Sequence, residues 1–337
     1  MKSFILLAFL VTSVTVFAQE PFRVMFYNVE NLFDCRHDSL KSDYEFLPAS
    51  VRGWHLGRYK KKINHIGKVI AAVGEWNPPA LIGLCEVENE KVMDDLVKYS
   101  PLKEYEYRYV MTDSPDERGI DVALLWQRGS FKLLSYHSIR LSFKEKDRRP
   151  TRDILHVTGL VSSGDSLDVF VCHMPSRYGG EKESEPARLY AASILKSTVD
   201  SICFVRTNPN ILIMGDFNDY PENASIANIL GAKSPASPID PDLLYNLMAD
   251  KGDKLGTYNY QGEWGILDQL IVLGSLLMPG NKMHTSNEKA RICDFPFLLE
   301  DDSKYGGRKP FRTYYGMKYI GGFSDHLPVM VDFEISE

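Results

Sequence analysis

The stretch from Ile211 to Asp219, with the sequence ILIMGDFND, constrains the fold of this chain more than any other. Its first four residues are apolar, as in a buried strand, and the strand gives way at once to a polar turn. Asp216 and Asn218 are two residues apart, so both side chains leave an extended backbone on the same face. Gly215 allows a turn or a close approach of the backbone to a ligand. The pattern predicts a site for a hard cation, while an Asx turn alone would also explain it.

The composition is that of an ordinary globular protein. The chain has 337 residues, 44% of them hydrophobic and 25% charged, which is enough for one large domain or two smaller ones. Its formal net charge of −6 argues against broad electrostatic capture of nucleic acid, which usually leaves a basic surface. The five cysteines show no spacing typical of a disulfide scaffold or a zinc site. A zinc hydrolase is further disfavoured because no His-x-x-His or His-Glu-x-x-His motif is present.

The first 18 residues have the pattern of a signal peptide. Lys2 supplies the positive start, an apolar run extends from Phe4 to Phe17, and Val16 and Ala18 are small residues at the positions that a signal peptidase reads. The run is shorter than the roughly 20 residues that a membrane-spanning helix needs. We therefore expect residues 1–18 to be a signal peptide and the mature chain to be exported, either to a periplasm or out of the cell.

The remaining residues, 19–337, predict one mixed α/β domain. Helical spacing of apolar residues predicts helices from about Arg58 to Val73 and from about Ser184 to Val205. Short connections between the strands from Tyr105 to His173 predict antiparallel pairing. The predicted strands are Phe22–Val29, Ala80–Cys85, Tyr107–Met111, Asp121–Trp126, Phe131–Leu141, Ile154–Val161, Leu167–Cys172, Ile211–Met214, Thr257–Tyr260, Leu267–Val272 and Leu327–Phe333. This order favours two packed sheets with helices on the outside.

Polar residues at or near the ends of these strands are the candidate site. They are Asn28, Glu86, His173, Asp216, Asn218, Asp268, Asp325 and His326. Carboxylate and amide oxygens are hard ligands that suit Mg²⁺, Mn²⁺ or Ca²⁺, and the histidines could move protons or stabilise negative charge. Each residue also has a structural explanation, since Asn28 could satisfy a turn, Glu86 could cap a helix and His173 could be a hydrogen-bonded core histidine. Their joint placement favours metal-assisted phosphoryl hydrolysis.

An ordered series of motifs resembles the endonuclease/exonuclease/phosphatase superfamily, which has the fold of deoxyribonuclease I. The motifs are FYNVENLF, LCEVEN, GIDVALLW, CHMPSR, MGDFND, ILDQLIV and FSDHLPV, and the resemblance covers the chain from Phe22 to Phe333. The resemblance implies a four-layer α/β sandwich, in which two packed sheets are flanked by helices. It also implies a hydrolase that depends on Mg²⁺, or on Mn²⁺ or Ca²⁺ in its place.

The resemblance assigns a role to each matching residue. Glu86 would be the main metal ligand, assisted by Asn28 and Asp325. Asp216 and Asn218 would orient the attacking water or the phosphoryl oxygens. His326, held by Asp268, would act as general base or stabilise the pentacovalent phosphate, and His173 would donate to a non-bridging oxygen. Whether Asp216 or His326 takes the proton of the water stays open, as does the number of metal ions.

Two further residues are candidates for substrate binding. Arg177 follows His173 closely and could clamp a phosphate, although it could equally close an ordinary loop. Asp121, in GIDVALLW, could bind a metal or orient an arginine such as Arg118.

The substrate class is less constrained than the reaction. We expect a nuclease or phosphodiesterase that acts outside the cytoplasm as a monomer without stable membrane insertion, on a phosphate ester that could be a nucleic acid. The alternative is a phosphohydrolase of lipid headgroups or inositol phosphates, similar to a sphingomyelinase or a 5-phosphatase. A catalytically silent binding protein is disfavoured because the set of site residues is complete. The aromatic and basic segment from Lys309 to Tyr319 would suit a rim that stacks on bases or contacts a sugar.

Overall fold

A computed structural model describes residues 20–143, 149–235, 238–252 and 255–336. The expected signal peptide, residues 1–18, lies outside them. The first ten strands, in chain order, are β1 (Phe22–Leu32), β2 (Leu81–Val87), β3 (Arg108–Met111), β4 (Asp121–Trp126), β5 (Phe131–Ile139), β6 (Ile154–Val161), β7 (Ser166–His173), β8 (Ile211–Asp216), β9 (Leu244–Asn246) and β10 (Tyr258–Tyr260). The others are β11 (Glu263–Gly265), β12 (Asp268–Leu273), β13 (Met283–His284), β14 (Ala290–Ile292), β15 (Leu299–Asp301), β16 (Arg308–Pro310), β17 (Tyr314–Tyr315), β18 (Lys318–Tyr319) and β19 (Val329–Ile335).

Helices are fewer than strands in the described part of the chain. The α-helices are α1 (Leu56–Gly74), α2 (Glu90–Tyr99) and α3 (Glu181–Val205). A π-helical segment covers Ser225–Leu230, and short 3-10 helices cover Tyr44–Phe46, Pro101–Tyr105, Gly274–Leu277, Asn287–Lys289 and Pro296–Leu298. Among these residues no helix is long and apolar enough to cross a membrane.

Two mixed sheets form the body of the protein. The first has the strand order β13-β19-β1-β2-β4-β3, with β14 also paired to β19, and the second has the order β5-β6-β7-β8-β12-β9. Each contains one parallel pair, β1 with β2 and β7 with β8, beside antiparallel neighbours. Three two-stranded ribbons, β10-β11, β15-β16 and β17-β18, lie outside these sheets.

Apolar side chains divide into three clusters that define four layers. Alternate residues of β1 point to opposite faces, so Val24 and Phe26 pack between the sheets with Met214 of β8. Met25 and Tyr27 face the other way and pack against α1 and α2. Residues of β7 and β8 that face outward pack against α3. The predicted four-layer α/β sandwich of deoxyribonuclease I type is therefore confirmed.

The strands between Tyr105 and His173 differ from a single meander. Pairing is antiparallel within β3-β4 and within β5-β6-β7, as expected. However, β4 pairs with β2 in the first sheet, whereas β5 begins the second. The turn at residues 127–130 therefore carries the chain from one sheet to the other. Sequence periodicity identifies strands but not the sheet to which each belongs, because both sheets present the same alternation.

Candidate active site

Three neighbouring strands of the second sheet place His173, Asp216 and Asp268 side by side. In register, Asp216 of β8 lies opposite His173 of β7 on one side and opposite Asp268 of β12 on the other. The strands approach closely here, since a Cβ atom on Gly215 would lie 2.4 Å from the carbonyl oxygen of Cys172. Only glycine fits at this position. The apolar strand with a polar end thus builds one row of buried polar groups.

His326 reaches this row from the first sheet. It precedes β19, and its Nδ1 lies 2.7 Å from Oδ2 of Asp268. Its Nε2 lies 3.8 Å from Oδ2 of Asp216, and Nε2 of His173 lies 3.7 Å from the same oxygen. All four side chains are buried. Asp216 is therefore flanked by two imidazoles, and that of His326 is also hydrogen-bonded to the carboxylate of Asp268.

Electrostatics distinguish the two histidines. Burial lowers the pKa of His173 well below its usual value, and the charge of Arg152 lowers it further, so this imidazole is neutral. Burial also opposes a charge on His326, but Asp268 and Asp216 outweigh it and raise the pKa of His326 to about 10. Burial raises the pKa of Asp216 to about 7, although the charge of His326 acts in the opposite direction. At neutral pH the row therefore contains an imidazolium beside a carboxyl that can exchange a proton.

Asn28 and Glu86 extend the site from the first sheet. Nδ2 of Asn28 donates to Oδ2 of Asp216 at 3.0 Å, which joins the two sheets at the site. Oε2 of Glu86 accepts from the backbone N–H of Asn31 at 2.8 Å, and Oε1 lies 4.0 Å from Nε2 of His173. Glu86 and Asn31 have φ values of 63° and 57°, which are unfavourable for residues with a Cβ. Such strain is concentrated at functional sites in many proteins.

The loop after β8 is held by its own side chains. The backbone N–H of Asn218, at φ 52°, donates to Oδ1 of Asp216, and its Nδ2 donates to the carbonyl oxygen of Met174 at 3.2 Å. This is the geometry of an Asx turn, so the structural explanation of the GDFND motif holds alongside the functional one. The amide of Asn218 lies next to the row because Met174 directly follows His173.

Asp325 lies in a buried cluster of charges beside the row. Its Oδ2 accepts from Nη2 of Arg312 at 2.7 Å. Burial raises the pKa of Asp325, but Arg312 and His326 outweigh it, so that the net shift is downward and the group stays ionised. A carboxylate fixed in this way is able to bind a cation with its other oxygen.

Two groups of side chains carry donor atoms of a kind that divalent cations bind. Glu86, Asn28 and Asp325 supply only oxygen donors, the type that Mg²⁺, Mn²⁺ and Ca²⁺ prefer. Separately, one ligand atom each of Asp216, Asp268 and His326 lies within 4.8 Å of the others, which would also accommodate a metal ion. Oδ1 of Asp268 is buried without a hydrogen-bond partner among the described residues. The donors present therefore fit the metal that the sequence predicts, and they do not identify it.

Arg177 does not have the surroundings expected of a phosphate clamp. Its Nε donates to the carbonyl oxygen of Asn218 at 2.7 Å, and Nη2 donates to Asn223 at 3.0 Å and contacts Asp219 at 3.3 Å. Its guanidinium also stacks on Tyr220. These contacts favour the alternative in which Arg177 holds the loop that carries Asn218, and its role in substrate binding stays a prediction.

Asp121 is likewise enclosed by its own neighbours. Its Oδ1 accepts from Thr112 Oγ1 at 2.6 Å and from both the backbone N–H and the hydroxyl of Ser114. Arg118, which the sequence suggested as its partner, pairs instead with Asp116. Asp121 therefore ties β4 to the segment before it, and its role in substrate binding stays a prediction.

The sequence interpretation missed the other members of the partly buried charge cluster that contains Asp325. Arg312 contacts Glu30 at 3.4 Å as well as Asp325, and Glu30 accepts from the backbone N–H of Thr313 at 2.6 Å. Lys62 of α1 is buried and donates to Thr313 Oγ1, and burial lowers its pKa to about 8. The sequence did contain a signal for this cluster. Lys62 lies four residues before Ile66 on the apolar face of α1, where a lysine is unusual.

Two clefts border the site on opposite sides. The tyrosine cleft has a volume of about 260 Å³ and is lined by Tyr258, Tyr260, Tyr305, Lys309, Arg312, Tyr315 and Asp325, among others. The arginine cleft has a volume of about 520 Å³ and is lined by Asp116, Arg118, Arg149, Thr151, Arg152, Ser176 and Tyr178, among others. The ring of Tyr258 also packs against His326, with centroids 4.9 Å apart.

Strand order shows why the clefts are on opposite sides. The tyrosine cleft takes residues from the segments that precede β12 and β19. The arginine cleft takes residues from the segments that precede β4 and follow β7. In each sheet these strands lie on either side of the strands that carry Asn28, Glu86 and Asp216. The two clefts therefore flank the row on opposite sides.

The sequence profile of the Endonuclease/Exonuclease/phosphatase family matches residues 23–335. No curated protein matches the chain. Among solved structures, a mannosyl-6-phosphatase from Bacteroides thetaiotaomicron has a TM-score of 0.60 at 17% identity, covering 93% of this chain and 99% of that one. The human nocturnin catalytic domain with bound sulfate has a TM-score of 0.55 at 18% identity, covering 94% and 95%. Danio rerio TDP2, complexed with a single-strand DNA product, has a TM-score of 0.56 at 12% identity, covering 94% and 100%.

Proposed function

The chain belongs to the Endonuclease/Exonuclease/phosphatase family, and on that basis we propose that it is a metal-dependent phosphodiesterase of the nuclease type. Membership indicates a hydrolase that acts on phosphate esters. The observation that carries the finer proposal is the buried row in which Asp216 lies between neutral His173 and charged His326. Such a row brings one proton acceptor, Asp216, close to two hydrogen-bond donors, His173 and His326.

The pKa shifts of these groups support one set of roles. His326 carries its own proton at neutral pH, so it serves as a donor to a phosphoryl oxygen and not as the base. Asp216, with a pKa of about 7, is the group in the row that is able to take a proton from the attacking water. His173 donates from Nε2 to another phosphoryl oxygen. Asn218 holds the Asp216 carboxylate through its backbone N–H.

Glu86, Asn28 and Asp325 are the residues that would hold Mg²⁺. We prefer them to the set that includes His326, because a protonated Nε2 has no lone pair for a metal. Mn²⁺ or Ca²⁺ would use the same oxygens. A bound cation would neutralise charge that develops on the phosphoryl oxygens.

The two clefts favour a diester over a monoester. A phosphodiester carries an organic group on each side of phosphorus, and the tyrosine cleft and the arginine cleft flank the row on opposite sides. Four tyrosines in the first cleft suit a flat or sugar-like group. A phosphomonoesterase of headgroups or inositol phosphates is the second candidate, which the phosphatase activity in the name of one structural neighbour supports.

Hydrolysis assays on residues 19–337 test the proposal. The substrates are plasmid DNA, single-stranded DNA, RNA, bis-p-nitrophenyl phosphate, p-nitrophenyl phosphate, sphingomyelin and inositol phosphates. We expect cleavage of nucleic acid and of the nitrophenyl diester. His326→Ala should lose about 10²- to 10⁴-fold in rate, the usual range for a proton-transferring group, whereas His137→Ala on the exposed face of β5 should not. Cleavage of monoesters alone would establish the second candidate instead.

Export is part of the proposal and rests on residues 1–18. The charged start, the apolar run and the small residues before Gln19 support a cleaved signal peptide. Expression of the full chain in a bacterium, followed by fractionation and N-terminal sequencing, tests it. We expect a mature N-terminus near Gln19 in the exported fraction. An intact chain confined to the cytoplasm would contradict it.

A further inference from the structure

The arginine cleft contains buried donors that lack an acceptor. Arg152 is only 4% exposed, and its Nη2 donates to the carbonyl oxygen of Met174 at 2.6 Å. Among the described residues, neither Nε of Arg152 nor Oγ1 of Thr151 has a hydrogen-bond partner. Most buried polar groups in folded proteins are paired, and an unpaired one costs about 1–3 kcal/mol. Two such groups on consecutive residues of one cleft point to a missing ligand.

Two arginines of this cleft share one carboxylate, and the cleft is also lined by Glu117 and Glu183. Asp116 is shared between two guanidinium groups, since its carboxylate contacts Nη1 of Arg152 at 3.4 Å and Nε of Arg118 at 3.3 Å. The side chain of Arg118 is about half exposed, so it is free to contact a molecule in the cleft. Arg149 pairs with Glu117 at 3.9 Å, and both are exposed. One carboxylate therefore serves two arginines next to the site.

Arg152 links this cleft to the segment that follows the catalytic row. Met174, whose carbonyl oxygen Arg152 contacts, directly follows His173, and Asn218 donates to the same carbonyl oxygen. A group bound by Arg152 would therefore belong to the substrate that also contacts His173 and Asp216. The tyrosine cleft lies on the other side, so the two clefts would hold different parts of one substrate.

We propose that Arg118, Thr151 and Arg152 form a subsite for a second phosphate group of the substrate, adjacent to the phosphate that is hydrolysed. A phosphate offers several acceptor oxygens to two guanidinium groups and a hydroxyl, and charge-assisted hydrogen bonds of this kind are strong. The subsite rests on the proposed phosphodiesterase function. It specifies a substrate with two neighbouring phosphates, as in a polynucleotide, in preference to an isolated diester.

Calorimetric titration of residues 19–337 with two nucleotides tests the subsite. The probes are thymidine 5′-monophosphate and thymidine 3′,5′-bisphosphate, each in the presence of Mg²⁺, and they differ by one phosphate. We expect the bisphosphate to bind about tenfold more tightly, because its additional phosphate would gain about one charge-assisted hydrogen bond. Arg118→Gln should remove most of this advantage, and Thr151→Val should reduce it. Arg128→Gln, in the exposed turn before β5, is the matched control and should keep it.

The outcomes separate the subsite from the function on which it rests. Equal affinity for the two nucleotides, no binding of either, or an advantage that survives Arg118→Gln would overturn the subsite. Hydrolysis of thymidine 5′-(p-nitrophenyl phosphate), which has no second phosphate, judges the phosphodiesterase function independently. Turnover of this ester without a bisphosphate advantage would therefore reject the subsite alone.

Discussion

His326 and Asp268 form a buried charged pair across the two sheets, with Nδ1 of the imidazole 2.7 Å from Oδ2 of the carboxylate. Asp268 is fixed in turn by Thr257, whose hydroxyl accepts from the backbone N–H of Asp268. The ring of His326 therefore has one orientation, and its Nε2 faces Asp216. This pair sets both the direction and the charge of the group that we propose donates to the phosphoryl oxygen.

The rate of hydrolysis should depend on pH at both ends of the range. Asp216 must be ionised to accept a proton, so kcat/KM should rise as pH increases through about 7. His326 must be protonated to donate, so kcat/KM should fall as pH approaches about 10. The measurement is a pH–rate profile with bis-p-nitrophenyl phosphate at saturating Mg²⁺. A profile that is flat from neutral pH to the alkaline end would contradict the role of His326.

Asp268→Asn should move the alkaline limb of this profile to lower pH. The substitution keeps the shape of the side chain but removes the negative charge that raises the pKa of His326. The rate should also fall, by up to about 10⁴-fold, as it does when the orienting carboxylate of a catalytic triad is replaced by an amide. Circular dichroism controls for folding. An unshifted alkaline limb in a folded variant would mean that Asp268 only fills space.

Arg177→Ala should lower the melting temperature and kcat while leaving KM unchanged. Arg177 holds the backbone of Asn218 and contacts buried Asp219, so its loss leaves polar groups unpaired and the loop less fixed. A phosphate clamp would instead show its loss mainly as a raised KM. Thermal denaturation and steady-state kinetics together distinguish the two roles, with Arg128→Ala as the exposed control. A raised KM at an unchanged melting temperature would support the phosphate-clamp role instead.

The sequence predicted the fold and the residues of the buried row. It did not predict which groups Arg177 and Asp121 contact. Strand ends are readable from apolar runs, and strands that lie side by side bring their ends together, which is why His173, Asp216 and Asp268 meet. The partners of Arg177 and Asp121 come from loops, where spacing along the chain does not determine which donor meets which acceptor. The sharing of Asp325 between the site and Arg312 depends on how the segment before β19 folds back. No periodic pattern in the sequence predicts how this segment folds back.

The metal dependence of diester hydrolysis tests the central claim most directly. The measurement is the rate of bis-p-nitrophenyl phosphate hydrolysis by residues 19–337, first in EDTA and then across a Mg²⁺ titration, for the native chain, Glu86→Gln and Glu90→Gln. Glu90 is the matched control because it lies four residues away on the exposed start of α2.

EDTA should abolish hydrolysis, and Mg²⁺ should restore it saturably. Glu86→Gln should need at least about tenfold more Mg²⁺, since even residues that only support a metal ligand cost roughly 10- to 100-fold in affinity. Glu90→Gln should titrate like the native chain. Hydrolysis that persists in EDTA, or an identical titration for Glu86→Gln and the native chain, would contradict the account.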